Sequence, residues 1–126
     1  MSKKILVIED DKFLRKVIDR KLLGEGYETV EAIDGAEGIR VAEDSKPDLI
    51  LLDLVLPEIS GFGVLTELKE NLATKNIPVI ILSNLGERED VEKGFSLGAT
   101  DYLIKSHFNP GEIVEKIEAI FDKGDK

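Results

Sequence analysis

The chain has no cysteine, one histidine, four prolines and few aromatic residues. Without cysteine there can be no disulfide and no thiolate zinc site, and a cytoplasmic location is expected. The single histidine, His107, reads as a solvated loop residue rather than a catalytic base. Long apolar runs are also missing. The longest are strand-sized, far short of the roughly 20 residues a membrane helix needs. Met1-Ser2-Lys3-Lys4 leads straight into a short apolar run, so no secretory signal pattern is present. Positive charge is scarce: 17 Lys and Arg stand against 26 Asp and Glu, a net charge of -9. Such a surface repels nucleic acid and anionic membranes, and no basic stripe offsets it, so neither is expected as a direct partner. The first strand-to-helix turn, Glu9-Asp10-Asp11-Lys12, lacks glycine and is acidic. It is poorly suited to cradling a cofactor phosphate, which argues against a flavin-binding enzyme.

What is present is a regular alternation over 126 residues, a length suited to one domain, residues 1–126. Apolar strand-like runs near 4–8, 28–33, 49–53, 78–83 and 101–104 are separated by stretches with helical spacing. Leu14, Val17, Ile18 and Leu22 mark the first helix; Leu65, Leu68 and Leu72 the third; Val91 and Phe95 the fourth; Ile113, Ile117, Ile120 and Phe121 the fifth. Gly24 and Gly26 close the first helix and Gly98 the fourth, Ser60 caps the third, and Asn109 caps the fifth with Pro110 and Glu112 in capping-box register. Lys123-Gly124-Asp125-Lys126 reads as a frayed tail. Five strand–helix units predict an α/β fold, a single doubly wound parallel sheet with helices on both faces.

Four of the five runs end in a residue suited to phosphoryl and metal chemistry: Glu9-Asp10, Asp53, Ser83 and Lys105. Parallel strands share a carboxyl edge, so folding would bring these residues together where such sheets bind ligands. Any one of them alone would be unremarkable at a strand end. Three carboxylates in one place repel one another unless a cation intervenes. Magnesium, or manganese, is the hard cation that takes few carboxylates and leaves room for a phosphate oxygen. Asp53 ends the central run and is the candidate nucleophile for an acyl phosphate. Lys105 and the Ser83 hydroxyl could neutralise and bind the remaining phosphoryl oxygens. Asp11 reads as a helix N-cap or first-turn acid, and Tyr102 as a packing residue on its strand.

The segments Ile5-Leu6-Val7-Ile8-Glu9-Asp10-Asp11, Leu51-Leu52-Asp53-Leu54-Val55-Leu56-Pro57 with Gly61, Ile81-Leu82-Ser83, and Gly98-Ala99-Thr100-Asp101-Tyr102-Leu103-Ile104-Lys105 resemble, in order and spacing, the receiver domain of two-component response regulators. The resemblance is to chemotaxis-regulator-like members and runs from end to end. It implies a flavodoxin-like, five-stranded sheet of order 2-1-3-4-5. It implies that Asp53 accepts a phosphoryl group from a sensor histidine kinase or a histidine phosphotransfer protein. Glu9, Asp10, Asp53 and the Val55 backbone carbonyl would hold magnesium, and Ser83 and Lys105 would hold the phosphoryl oxygens. Tyr102 would swing inward as Ser83 moves, remodelling the face of the fourth helix, fifth strand and fifth helix for a downstream protein partner.

Two positions depart from the family pattern. Ser106 replaces the usual proline after the lysine, and Asn84 stands where a small residue follows the switch hydroxyl. A non-proline cis bond costs about 3 kcal/mol, so a trans Lys105-Ser106 peptide is expected. Asn84 narrows the approach to Asp53 or adds a hydrogen bond. Val55 and Leu85 occupy the positions that govern attack by water in the family, and both are apolar, so slow autodephosphorylation is expected. With no segment after the fifth helix, no output domain, enzymatic or DNA-binding, is expected. Dimerisation on phosphorylation is left open. The alternative is a pseudo-receiver, the same fold acting as an interaction module without phosphorylation.

Overall fold

Continuous apolar runs make the strands here, because helices cover both faces of the sheet. The structure, a computed structural model, describes residues 2–107 and 109–124. The strands are β1 (Lys4–Ile8), β2 (Glu28–Ala32), β3 (Leu49–Leu52), β4 (Val79–Ser83) and β5 (Asp101–Ile104). The helices are α1 (Lys12–Gly24), α2 (Gly35–Ser45), α3 (Gly61–Glu70), α4 (Arg88–Ser96) and α5 (Pro110–Gly124), with a 3-10 turn at Lys105–His107. All strand pairs are parallel and the order is β2-β1-β3-β4-β5, as expected. No helix among the described residues is long and apolar enough to cross a membrane.

Alternate strand residues feed two cores. Ile5, Val7, Leu49, Leu51, Ile80 and Leu82 pack with Ile18 and Leu22 of α1 and Ile113, Val114 and Ile117 of α5. Leu6, Ile8, Ile50, Leu52, Val79 and Ile81 pack on the other face with Ala42, Val64, Leu65 and Leu68. Burying each such leucine or isoleucine contributes about 1.5–3 kcal/mol. The edge strand β2 carries Glu28 and Glu31 and is only partly buried, and it stops at Ala32, one residue short of the expected end.

Several caps match their sequence reading. Asp11 Oδ1 accepts the Leu14 N–H at 3.1 Å, Ser60 Oγ accepts that of Gly63 at 3.3 Å, and Asn109 Oδ1 accepts that of Gly111 at 2.9 Å. Gly26 and Gly98 take positive φ, 92° and 108°. The Lys105-Ser106 peptide is trans.

Two apolar assignments are corrected. Leu72 is not on α3, which ends at Glu70, and it is 80% exposed. Asn71 turns the chain extended and its side chain accepts the Ala73 N–H at 2.8 Å, while the Thr74 hydroxyl takes the Leu68 carbonyl at 2.6 Å. These local bonds displace the helical ones. Phe95 does lie on α4 but is 46% exposed; the buried position is Gly94, which lets the helix close onto Ile81 and Tyr102. Lys123 and Gly124, expected in a frayed tail, lie on α5 instead; Asp125 and Lys126 lie outside the described residues. His107 lies on the 3-10 turn, and its side chain is likewise outside them.

Candidate functional site

The carboxyl edge of the sheet gathers Glu9, Asp10, Asp53, Val55 and Lys105 of the expected residues around one pocket. Glu9 follows β1, Asp53 follows the neighbouring β3, and Lys105 follows β5. Here the strand order reverses between β1 and β3, which opens a crevice. Glu9, Asp10, Asp11, Asp53, Val55, Asn84 and Lys105 line a cavity of about 340 Å³. Carboxylate oxygens of Glu9, Asp10 and Asp53 lie within 4.8 Å of one another. Glu9 and Asp53 are buried and Asp10 is exposed. The Lys105 Nζ stands between two of the acids, 2.6 Å from Glu9 Oε1 and 2.9 Å from Asp53 Oδ2.

Local structure fixes Asp53 from behind. Its N–H donates to the Ile8 carbonyl at 3.1 Å, and its Oδ1 accepts the Val55 N–H at 3.2 Å. The first residue of α3, Gly61, presses on the same loop: its N–H donates to the Leu54 carbonyl at 2.8 Å, and a Cβ there would sit 2.3 Å from the Asp53 carbonyl oxygen. Only glycine fits, and the contact seats the acid.

Burial pushes the Glu9 carboxyl up to about 7; it outweighs the hydrogen bonds from Lys105 and the Asp11 N–H, and the Asp53 charge adds to the rise. For Lys105, burial works against the charge, yet its hydrogen bonds to Glu9 and Asp53 prevail and raise its pKa. Burial, reinforced by Asp90 and Asp53, pushes the Tyr102 hydroxyl up to about 12.

Ser83 is placed differently from the acids. It ends β4, paired with Ile104, but is fully buried and is not among the cavity-lining residues. Its Oγ accepts the Leu85 N–H at 3.2 Å. Tyr102 is half-buried beside Gly94 and its hydroxyl donates to the Leu85 carbonyl. Leu85 packs against the core shared with α2 and α3 instead of covering the pocket, because an apolar side chain beside that core is drawn into it. Asn84 does line the cavity. Sequence reading missed Arg15, whose Nη1 donates to the Glu9 carbonyl at 2.9 Å. A basic residue one turn into a helix gives no signal that it will fold back.

The family model described as the response regulator receiver domain matches residues 5–118. The chain is 37% identical over 123 residues to the DNA-binding dual master transcriptional regulator RpaA of Synechocystis, covering 98% of this chain and 51% of that protein. It thus spans about half the length of the curated relatives it matches. A CheY-like response regulator receiver domain protein from Methanospirillum hungatei superposes with a TM-score of 0.92 at 26% identity, covering 99% and 98% of the two chains. The receiver domain of sensor histidine kinase PA1611 from Pseudomonas aeruginosa, with a magnesium ion coordinated in its active site cleft, superposes with a TM-score of 0.85 at 28% identity, over 94% and 97%.

Proposed function

This chain belongs to the response regulator receiver domain family, and on that premise we propose that it is a phosphorylation-activated signalling switch with Asp53 as acceptor. The supporting observation is the buried Asp53 carboxylate held 2.9 Å from a lysine in a cavity shared with Glu9 and Asp10. A carboxylate oxygen of Asp53 attacks a phosphohistidine presented by a sensor histidine kinase or phosphotransfer protein. The N–P bond breaks, an O–P bond forms, and the imidazole leaves with a proton from solvent. The three clustered carboxylates fit a hard divalent cation, with the Val55 carbonyl as a further ligand. Magnesium, when bound, supplies charge neutralisation for the transferring phosphoryl group, and its presence in the PA1611 receiver supports the assignment. Lys105 exchanges a carboxylate partner for a phosphoryl oxygen. The Ser83 hydroxyl turns from the Leu85 N–H toward another, and Tyr102 follows through its bond to the Leu85 carbonyl. The α4–β5–α5 face then changes for a downstream partner.

Acetyl phosphate with magnesium should add one phosphoryl group to the intact mass of the wild type and none to Asp53→Asn. If neither this donor nor a phosphohistidine donor labels the wild type, and beryllofluoride leaves its spectrum unchanged, the chain is an interaction module without phosphorylation. Val55 is 59% exposed and apolar at the pocket mouth, where it offers water no hydrogen-bond partner for attack on the acyl phosphate. The label should therefore decay slowly, and Val55→Asn should shorten its lifetime several-fold; a label lost within seconds from the wild type would contradict this.

A further inference from the structure

We infer that Arg15 is a positioning residue for the cation site: it locks the Glu9–Asp10 peptide so that the Asp10 carboxylate faces the pocket. The inference rests on the magnesium-dependent reading above.

Arg15 lies one turn into α1, yet its side chain is only 12% exposed. Its Nη1 donates to the Glu9 carbonyl at 2.9 Å. Its Nε is buried with no hydrogen-bond partner, 3.4 Å from Glu31 Oε1 on β2. An unpaired buried donor is costly. A guanidinium serving chiefly as the partner of Glu31 would close that gap. One serving to neutralise the pocket would lie on a pocket carboxylate, as Lys105 does. Arg15 instead spends its short bond on a backbone carbonyl.

That carbonyl completes a set. The Glu9 N–H donates to the Ala32 carbonyl at 3.0 Å, Oε2 accepts the Asp11 N–H at 3.1 Å, and Oε1 accepts Lys105 at 2.6 Å. With Arg15, every polar atom of Glu9 has a partner. Asp10 is the opposite case: it is exposed, and no hydrogen bond among the described residues holds its carboxylate. Its aim is therefore set by the peptide it hangs from, and the carbonyl of that peptide is what Arg15 grips. Groups that orient metal ligands from behind typically change metal affinity 10–100-fold when removed.

The test is magnesium binding to the intact chain by isothermal titration calorimetry, at a temperature where each variant is folded, beside thermal melting without magnesium. Arg15→Ala should weaken magnesium binding about tenfold. Arg15→Lys, which reaches a single acceptor, should fall between it and the wild type. A role confined to stability would lower the melting temperature and leave the magnesium Kd where it was; wild-type affinity in Arg15→Ala overturns the inference. Should Arg15→Ala fail to fold, Arg15→Lys decides: several-fold weaker binding supports the inference and unchanged binding overturns it. Asp10→Asn separates the two levels. If it binds magnesium as tightly as the wild type, or the wild type does not bind, the cation reading itself falls and takes the inference with it.

Discussion

Glu9 sets the pH dependence of this pocket. Burial raises its carboxyl from the ordinary 4.5 to about 7, so the fold holds the proton more tightly than the unfolded chain does. Its contribution to stability is fully present below the unfolded value and is lost as pH rises through 7. A divalent cation needs the carboxylate, so proton and metal compete. Magnesium affinity should climb from about pH 5 to about pH 7 and then level, with protons released on binding inside that window. Calorimetry in buffers of different ionisation heat would read the release, and a flat affinity across the window would remove Glu9 from the ligand set. The acids were legible in the sequence because four of the five apolar runs end in a residue of the right kind, although any one of them alone is commonplace there. The burial of Ser83 and the inward path of Arg15 were not, since both depend on contacts that only folding makes: the pairing of Ser83 with Ile104 on β5 for one, the Glu9 carbonyl for the other.

Among the elements, α3 is seated directly against the site through Gly61. Gly61→Ala would press a methyl to 2.3 Å from the Asp53 carbonyl oxygen and 2.4 Å from the Leu54 Cα. Backbone cannot yield as a side chain does, so the cost should reach about 3 kcal/mol in denaturant unfolding, the upper end for overpacking. Phosphoryl acceptance should drop with it. Gly24→Ala is the control: nothing lies within 4 Å of that position, and stability should change by less than about 1 kcal/mol. Equal stability of Gly61→Ala and wild type would refute the packing account. The order of elements was legible because two-sided burial writes strands as unbroken apolar runs. The end of α3 was not, since Asn71 and Thr74 compete for its last bonds. Nor was the buried side of α4, where Gly94 contributes by having no side chain, something an apolar periodicity cannot register.

For the molecule as a whole, acidity is the dominant field. With a net charge of -9, the folded chain repels itself, and exposed pairs such as Arg88–Glu92 offset little of that. Raising sodium chloride from about 0.01 to 0.15 M shortens the screening length from about 30 to 8 Å, and the melting temperature should rise by a few degrees. Magnesium at equal ionic strength should raise it further, because an ion bound to the native state alone shifts unfolding by mass action. Identical curves in the two salts would mean the pocket takes no ion. The hydrogen bond from Tyr102 to the Leu85 carbonyl gives the molecule mechanical leverage. It ties the edge strand β5 to the loop that follows Ser83 and carries Asn84, so the rim and the pocket share one joint. Free energy passes through such a joint equally in both directions. If the proposed phosphorylation repositions this tyrosine, a protein that grips the rim in one pose must favour or oppose phosphorylation by the same free energy by which the phosphoryl group changes that grip.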